Sequence, residues 1–138
     1  MVDGILKKIL SLILLFTLCG CNQEQPKIYI FYHQTCGSCR AMQEYFIPQI
    51  PKEIEVILLD IDNEENIDYY HQVLDRFEDI DQSLYEQVMT PFLYYEGKFC
   101  AIGYERVMDE VYIQLINESL NHQKYTIIPS GVWIEKGE

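Results

Sequence analysis

Cys36 and Cys39 are separated by Gly37 and Ser38, a spacing that suits two kinds of chemistry. One is thiol–disulfide exchange, in which a first thiolate attacks a sulfur and a second thiol, one helical turn on, releases the product. The other is metal binding, because C-x-x-C pairs also supply thiolate ligands. The surroundings favour exchange. An apolar run at residues 28–32 (IYIFY) leads into the pair, and residues 37–46 contain good helix formers. Cys36 is therefore predicted at a helix N-terminus, where free N–H groups and the positive end of the helix dipole favour thiolate over thiol. Cys36 is the expected nucleophile and Cys39 the expected resolving thiol.

Other residues that could do chemistry have simpler readings. His33, three residues ahead of Cys36, could tune the thiolate or complete a His-Cys-Cys metal site, but its expected role is that of a partly exposed loop histidine. His71 and His122 fall on helix faces and read as surface residues. Cys100 lies in a short strand-like run, where a free cysteine behaves as a small buried hydrophobe. Asp60, Asp62, Glu64 and Glu65 lack the Asp-x-Asp-x-Asp-Gly spacing of calcium loops and read as a solvated loop and an acidic helix start. No cofactor and no resident metal are expected.

The elements that hold the pair follow from the apolar pattern. A strand at residues 28–32, buried on both faces, is followed by a helix at 37–46 that Pro48 and Pro51 limit. Met42, Tyr45 and Phe46 are spaced to share its buried face. A second strand at 55–61 (EVILLDI) completes a β-α-β unit, which favours parallel pairing. A helix at 64–77 carries Ile67, Tyr70, Val73, Leu74 and Phe77 at helical spacing, and a shorter one at 82–88 has Ser83 and Glu86 at capping-box spacing. Two short strands, 92–95 and 98–104, read as a tight hairpin joined by Glu96-Gly97. An amphipathic helix at 106–122 closes the domain, with Met108, Val111, Tyr112, Leu115, Ile116 and Leu120 as its apolar stripe. The order is β-α-β-α-β-β-α around a mixed sheet. Residues 124–138 remain as a tail with two readings, an added strand or a packed extension.

The first twenty residues read as an address rather than as structure. Lys7 and Lys8 precede ten mostly Leu and Ile residues at 9–18, about half of the roughly 20 needed for a spanning helix. Leu18-Cys19-Gly20-Cys21 then resembles the lipobox of bacterial lipoproteins, which implies lipid on Cys21 as the first residue of the mature chain. The expected organisation is a signal peptide at 1–20, a polar tether at 21–27, one domain at 28–123 and the tail. Of the five cysteines, Cys19 would leave with the signal and Cys21 would carry lipid, so Cys36 and Cys39 are the one dithiol, with Cys100 alone.

Composition bounds the rest. With 49% hydrophobic and 13% aromatic residues the chain can bury a core, so global disorder is not expected. A formal charge of -12 with no basic stripe disfavours nucleic acid, whose phosphates would be repelled.

Over about residues 27–121 the chain resembles the thioredoxin superfamily. Besides Cys36-Gly37-Ser38-Cys39, Thr90-Pro91 before the third core strand falls where that family carries a cis-proline facing the active-site disulfide, and Gly103 matches a family glycine. Proline tolerates cis at only about 0.5–1 kcal/mol over trans. The resemblance implies a three-layer α/β fold with helices on both faces of the sheet, and a site made of Cys36, Cys39, Thr90 and Pro91. IYIFYHQTCGSC with VILLDIDNEEN is similar more narrowly to the bacterial extracytoplasmic thioredoxin-like branch. The chain departs from thioredoxin in having no Trp before the first cysteine, Gly-Ser between the cysteines, and Ile30 where thioredoxin buries an Asp. The last departure leaves the resolving step to another base or to water.

The expected function is a thiol–disulfide oxidoreductase, lipid-anchored on the outer face of the cell membrane, exchanging electrons with cysteine-containing envelope proteins and a membrane redox partner. Two other classes are weighed against it. A metal-binding or metal-delivery module would use Cys36, Cys39 and His33, and a redox-inactive accessory protein would use the fold as an interaction module.

Overall fold

A computed structural model of the chain describes residues 23–137 together with Val2 and Gly4. The apolar run at 9–18, Cys19 and the expected lipidation site Cys21 lie outside the described residues. Among the described residues no helix is long and apolar enough to cross a membrane.

The β-branched and aromatic residues of Lys27–Tyr32 form β1, which pairs in parallel with β2 (Glu55–Asp60) on one side and antiparallel with β3 (Phe92–Tyr95) on the other. β4 (Phe99–Ile102) extends the hairpin from β3, and β5 (Val132–Ile134) adds to the far edge, giving the order β2-β1-β3-β4-β5. The result is a mixed α/β architecture. The last fifteen residues thus contribute a strand, with Phe99 opposite Ile134, Cys100 opposite Trp133 and Ala101 opposite Val132.

Alternation along the strands sorts the core into two faces. Ile28, Ile30, Leu93 and Ala101 point to one face. It is covered by Met42 and Phe46, and by Tyr112, Leu115 and Ile116 of the last helix, α4 (Asp109–Leu120). Phe31, Phe92, Tyr94 and Cys100 point to the other. Tyr70, Val73 and Leu74 of α2 (Glu64–Leu74) cover it together with Leu84 of α3 (Ser83–Glu86). Helices therefore lie on both sides of the sheet, and the inner strands β1, β3 and β4 carry buried side chains on both faces.

Several local expectations are corrected. The first helix, α1, is α-helical only over Gly37–Ala41; Met42–Phe46 widens to a π-turn and Ile47–Gln49 tightens to 3-10 before Pro51. Met42 and Phe46 are buried as expected, but Tyr45 is exposed, with the Arg106 guanidinium 4.3 Å above its ring. β2 is apolar yet only partly buried, because it is an edge strand; Leu58 keeps 43% of its surface. The helix expected to reach residue 77 ends at Leu74. The capping box at Ser83 and Glu86 does not form: the Asp81 carboxylate accepts the Ser83 N–H at 2.9 Å instead. That bond, with the Ser83 hydroxyl, holds the Asp81 carboxyl below its ordinary range. The β3–β4 loop has three residues rather than two, since Tyr95 pairs with Phe99, and Gly97 supplies its left-handed position at φ 72°. The closing helix begins as 3-10 at Arg106–Met108, so α4 is shorter than the expected 106–122.

Candidate functional site

The strongest concentration of reactive groups lies where β1 ends. His33, Gln34, Thr35 and Cys36 make a tight turn closed by the Cys36 N–H donating to the His33 carbonyl at 3.0 Å. Cys36 then occupies the cap position of α1 in extended geometry, φ −78° and ψ 112°. Its sulfur accepts the Cys39 N–H at 3.1 Å, standing where a Ser or Asp oxygen stands in an ordinary helix cap. A sulfur so placed gains most from that donor when it is negative.

The two cysteines differ in access. Cys36 is half-buried, whereas Cys39 is 1% exposed. They are paired at disulfide-bonding distance, with their Cα atoms 5.2 Å apart. Cys39 lies in the first turn of α1 and is the buried residue of Gly37–Ala41.

Thr90 and Pro91 reach the pair from the entry to β3. The peptide between them is cis, and the Thr90 carbonyl oxygen lies 3.7 Å from the Cys36 sulfur. Pro91 is buried, and its carbonyl accepts the Gly103 N–H at 2.9 Å, which ties the start of β3 to the end of β4. Gly103 holds φ at 78°, a conformation that a side chain would strain. The structure thus brings together Cys36, Cys39 and Thr90, with Pro91 next in the chain.

His33 has both ring nitrogens engaged by protein. Nδ1 faces the Thr35 hydroxyl at 2.7 Å and the Thr35 N–H at 3.2 Å, and Nε2 lies 3.1 Å from Asp62. Neither nitrogen is left to join the cysteines as a ligand. Among the described residues no three of His, Cys, Asp and Glu converge as a metal site would require. The acidic groups at the end of β2 and just after it are engaged by protein or face solvent. Asp60 accepts the Asp62 N–H at 2.9 Å and the Gln34 amide at 3.0 Å, in that order the causes that hold its carboxyl below the ordinary range. Asn63 caps α2 by accepting the Glu65 N–H, and Glu64 and Glu65 sit exposed at the helix start.

Cys100 is fully buried on β4, and burial pushes its thiol far above its ordinary range. His71 stacks on Tyr85, and His122 is exposed. An open cleft of about 570 Å³ lies at the other end of the sheet, lined in part by Pro26, Lys27, Tyr95 and His122, and contains none of the cysteine-site residues.

Sequence reasoning missed the bridges from the turn after β1 to the turn after β2. The signal was present in outline: strands that pair in parallel end on the same side, so polar residues just past each end become neighbours. Compared with known proteins, the chain matches no family model, no curated protein and no solved structure.

Proposed function

We propose that this protein is a thiol–disulfide oxidoreductase with a thioredoxin-like fold, working through Cys36 and Cys39. The observation that carries the reading is the unequal treatment of the two sulfurs. One is half-open and accepts a helix-end N–H at 3.1 Å; the other is buried beneath it. The fold reading is supported by the strand order β2-β1-β3-β4, with β1 and β2 parallel, the rest antiparallel, and the cysteine pair just past the end of a central strand.

In the reducing direction the Cys36 thiolate attacks one sulfur of a substrate disulfide. A Cys36–substrate S–S bond forms, the substrate bond breaks, and the second substrate sulfur departs as thiolate. Cys39 then gives up its proton and attacks the Cys36 sulfur, releasing the first substrate sulfur and leaving the Cys36–Cys39 disulfide. Two electrons pass from the dithiol to the substrate, and the two product thiols are completed by the proton Cys39 gave up and one from water. The oxidising direction retraces the same mixed disulfide. Ile30, fully buried behind the site, offers no proton acceptor, so water or the departing thiolate takes the Cys39 proton.

The substrate class is protein cysteines of the cell envelope, and the anchor is a lipid on Cys21, a reading that rests on Leu18-Cys19-Gly20-Cys21. The Thr90 carbonyl beside Cys36 is an acceptor for the backbone of an extended substrate, as in strand addition. Equilibration of the soluble domain with a glutathione series, followed by alkylation and mass measurement, tests the central claim. Reversible two-electron titration of Cys36 and Cys39 is expected, and a pair that stays in one state across the series removes it. For the anchor, Cys21→Ala is expected to release the protein from the membrane fraction or leave it unprocessed.

A further inference from the structure

Within that reading, we infer that His33 is a positioning residue for Cys36, acting as a hydrogen-bond acceptor through Nδ1 with its tautomer set by Asp62. A backbone N–H can only donate, so the Thr35 N–H at 3.2 Å requires a lone pair on Nδ1. The ring proton therefore sits on Nε2, where Asp62 accepts it at 3.1 Å. The Thr35 hydroxyl, 2.7 Å from Nδ1, donates to the same lone pair. One imidazole thus gathers two donors of Thr35, while its own carbonyl takes the Cys36 N–H at 3.0 Å.

The consequence falls on the sulfur. Cys36 is the third residue after His33, and the conformation of 33–35 decides whether its side chain reaches the Cys39 N–H. The adjacent turn is bound to the same frame by Gln34, whose amide donates to Asp60 at 3.0 Å, and by the Ile61 N–H donating to the Tyr32 carbonyl at 3.0 Å. Asp60 and Asp62 are the charged groups facing this turn from the β2 side. Their Coulombic contribution is small: the His33 and Asp62 side chains are 35% and 62% exposed, and pairs in that range are worth little. What Asp62 supplies is the choice of tautomer, and what His33 supplies is the acceptor.

The test separates acceptor from bulk. Asparagine at position 33 can accept the N–H two residues on through an Asx-turn without any ring or partner on Asp62, whereas leucine cannot accept at all. His33→Leu is expected to slow alkylation of Cys36 in the reduced protein about fivefold at neutral pH. It is also expected to shift the glutathione equilibrium about fivefold toward the disulfide, the size of one ordinary hydrogen bond. His33→Asn is expected to restore both to within about twofold of the parent. If the leucine variant melts early, His33→Gln, whose longer amide does not close the Asx-turn, takes its place. Parent-like rates and equilibrium in the acceptor-less variant overturn the inference, as does an asparagine variant no better than leucine. Failure of the parent itself to equilibrate with glutathione counts against the oxidoreductase reading, while the alkylation rates still report on His33.

Discussion

The turn after β1 and the middle of β4 each present a cysteine, in opposite surroundings. Cys36 caps a helix, half-open, with a backbone N–H aimed at its sulfur. Cys100 lies in a strand with neighbours on both sides, opposite Tyr94 and Trp133, and is covered by the Tyr70, Leu74 and Phe77 side of the core. The two surroundings differ in what the backbone offers the sulfur. A helix start has N–H groups with no intrahelical partner, while an inner strand has spent its own on the ladder. Burial favours the neutral thiol at Cys100, whereas Cys36 is only half-buried.

The largest test of this contrast is replacement of each sulfur at the open site. Cys36→Ala should abolish exchange and trap almost no mixed disulfide, whereas Cys39→Ala should form the first intermediate and accumulate it, read on non-reducing gels after acid quench. Equal trapping by both variants would make the two thiols equivalent and erase the asymmetry on which the site rests.

The sealed side can be opened instead. The Trp133 indole N–H donates to the Asp79 carbonyl at 3.1 Å, and Lys136 pairs with Glu78, so β5 straps the segment after α2 to the sheet edge. Trp133→Ala should cost about 2 kcal/mol, below the range for a fully buried Trp because this one is half-buried. Cys100 should then label without global unfolding, measured by alkylation across a urea series. Labelling that still tracks global unfolding would mean that the shield is the core beneath and not β5.

A smaller effect concerns the link that feeds β5. The Glu118 carboxyl is held below its ordinary range, first by the Gln114 amide at 2.9 Å and then by the Thr126 hydroxyl at 2.6 Å. A depressed folded value means stability that is present above about 4.3, the unfolded Glu value, and lost as pH falls through the folded one. Glu118→Gln should therefore melt below the parent at pH 7, with the gap closing toward pH 3. A gap independent of pH would assign the effect to shape alone. The smallest change should come from Cys100→Ala, which leaves exchange unaltered and lowers stability by about 1 kcal/mol, as expected for a small cavity. Loss of exchange in that variant would give the sealed thiol a role in turnover.

Much of this arrangement was visible along the chain. IYIFY and the FLYY–FCAI pair are apolar on both alternating faces, which marks strands covered on two sides, and the helix formers after Cys36 put that residue at a helix start. β5 was harder to see, because three residues preceded by Pro129-Ser130-Gly131 carry too little periodicity to separate a strand from a packed tail. The Ser83–Glu86 spacing misled for a related reason: several nearby side chains can cap a helix, and Asp81 won through a local turn that spacing does not rank.

The order of elements, the chemical pair and its place at a helix N-terminus were dictated by local pattern, since apolar period and helix propensity act over a few residues. Folding in three dimensions decided that Thr90 faces Cys36, that Trp133 covers the edge over Cys100, and that Asp62 meets His33. Those contacts join residues far apart in the chain through strand pairing, and register rather than composition sets which side chains meet.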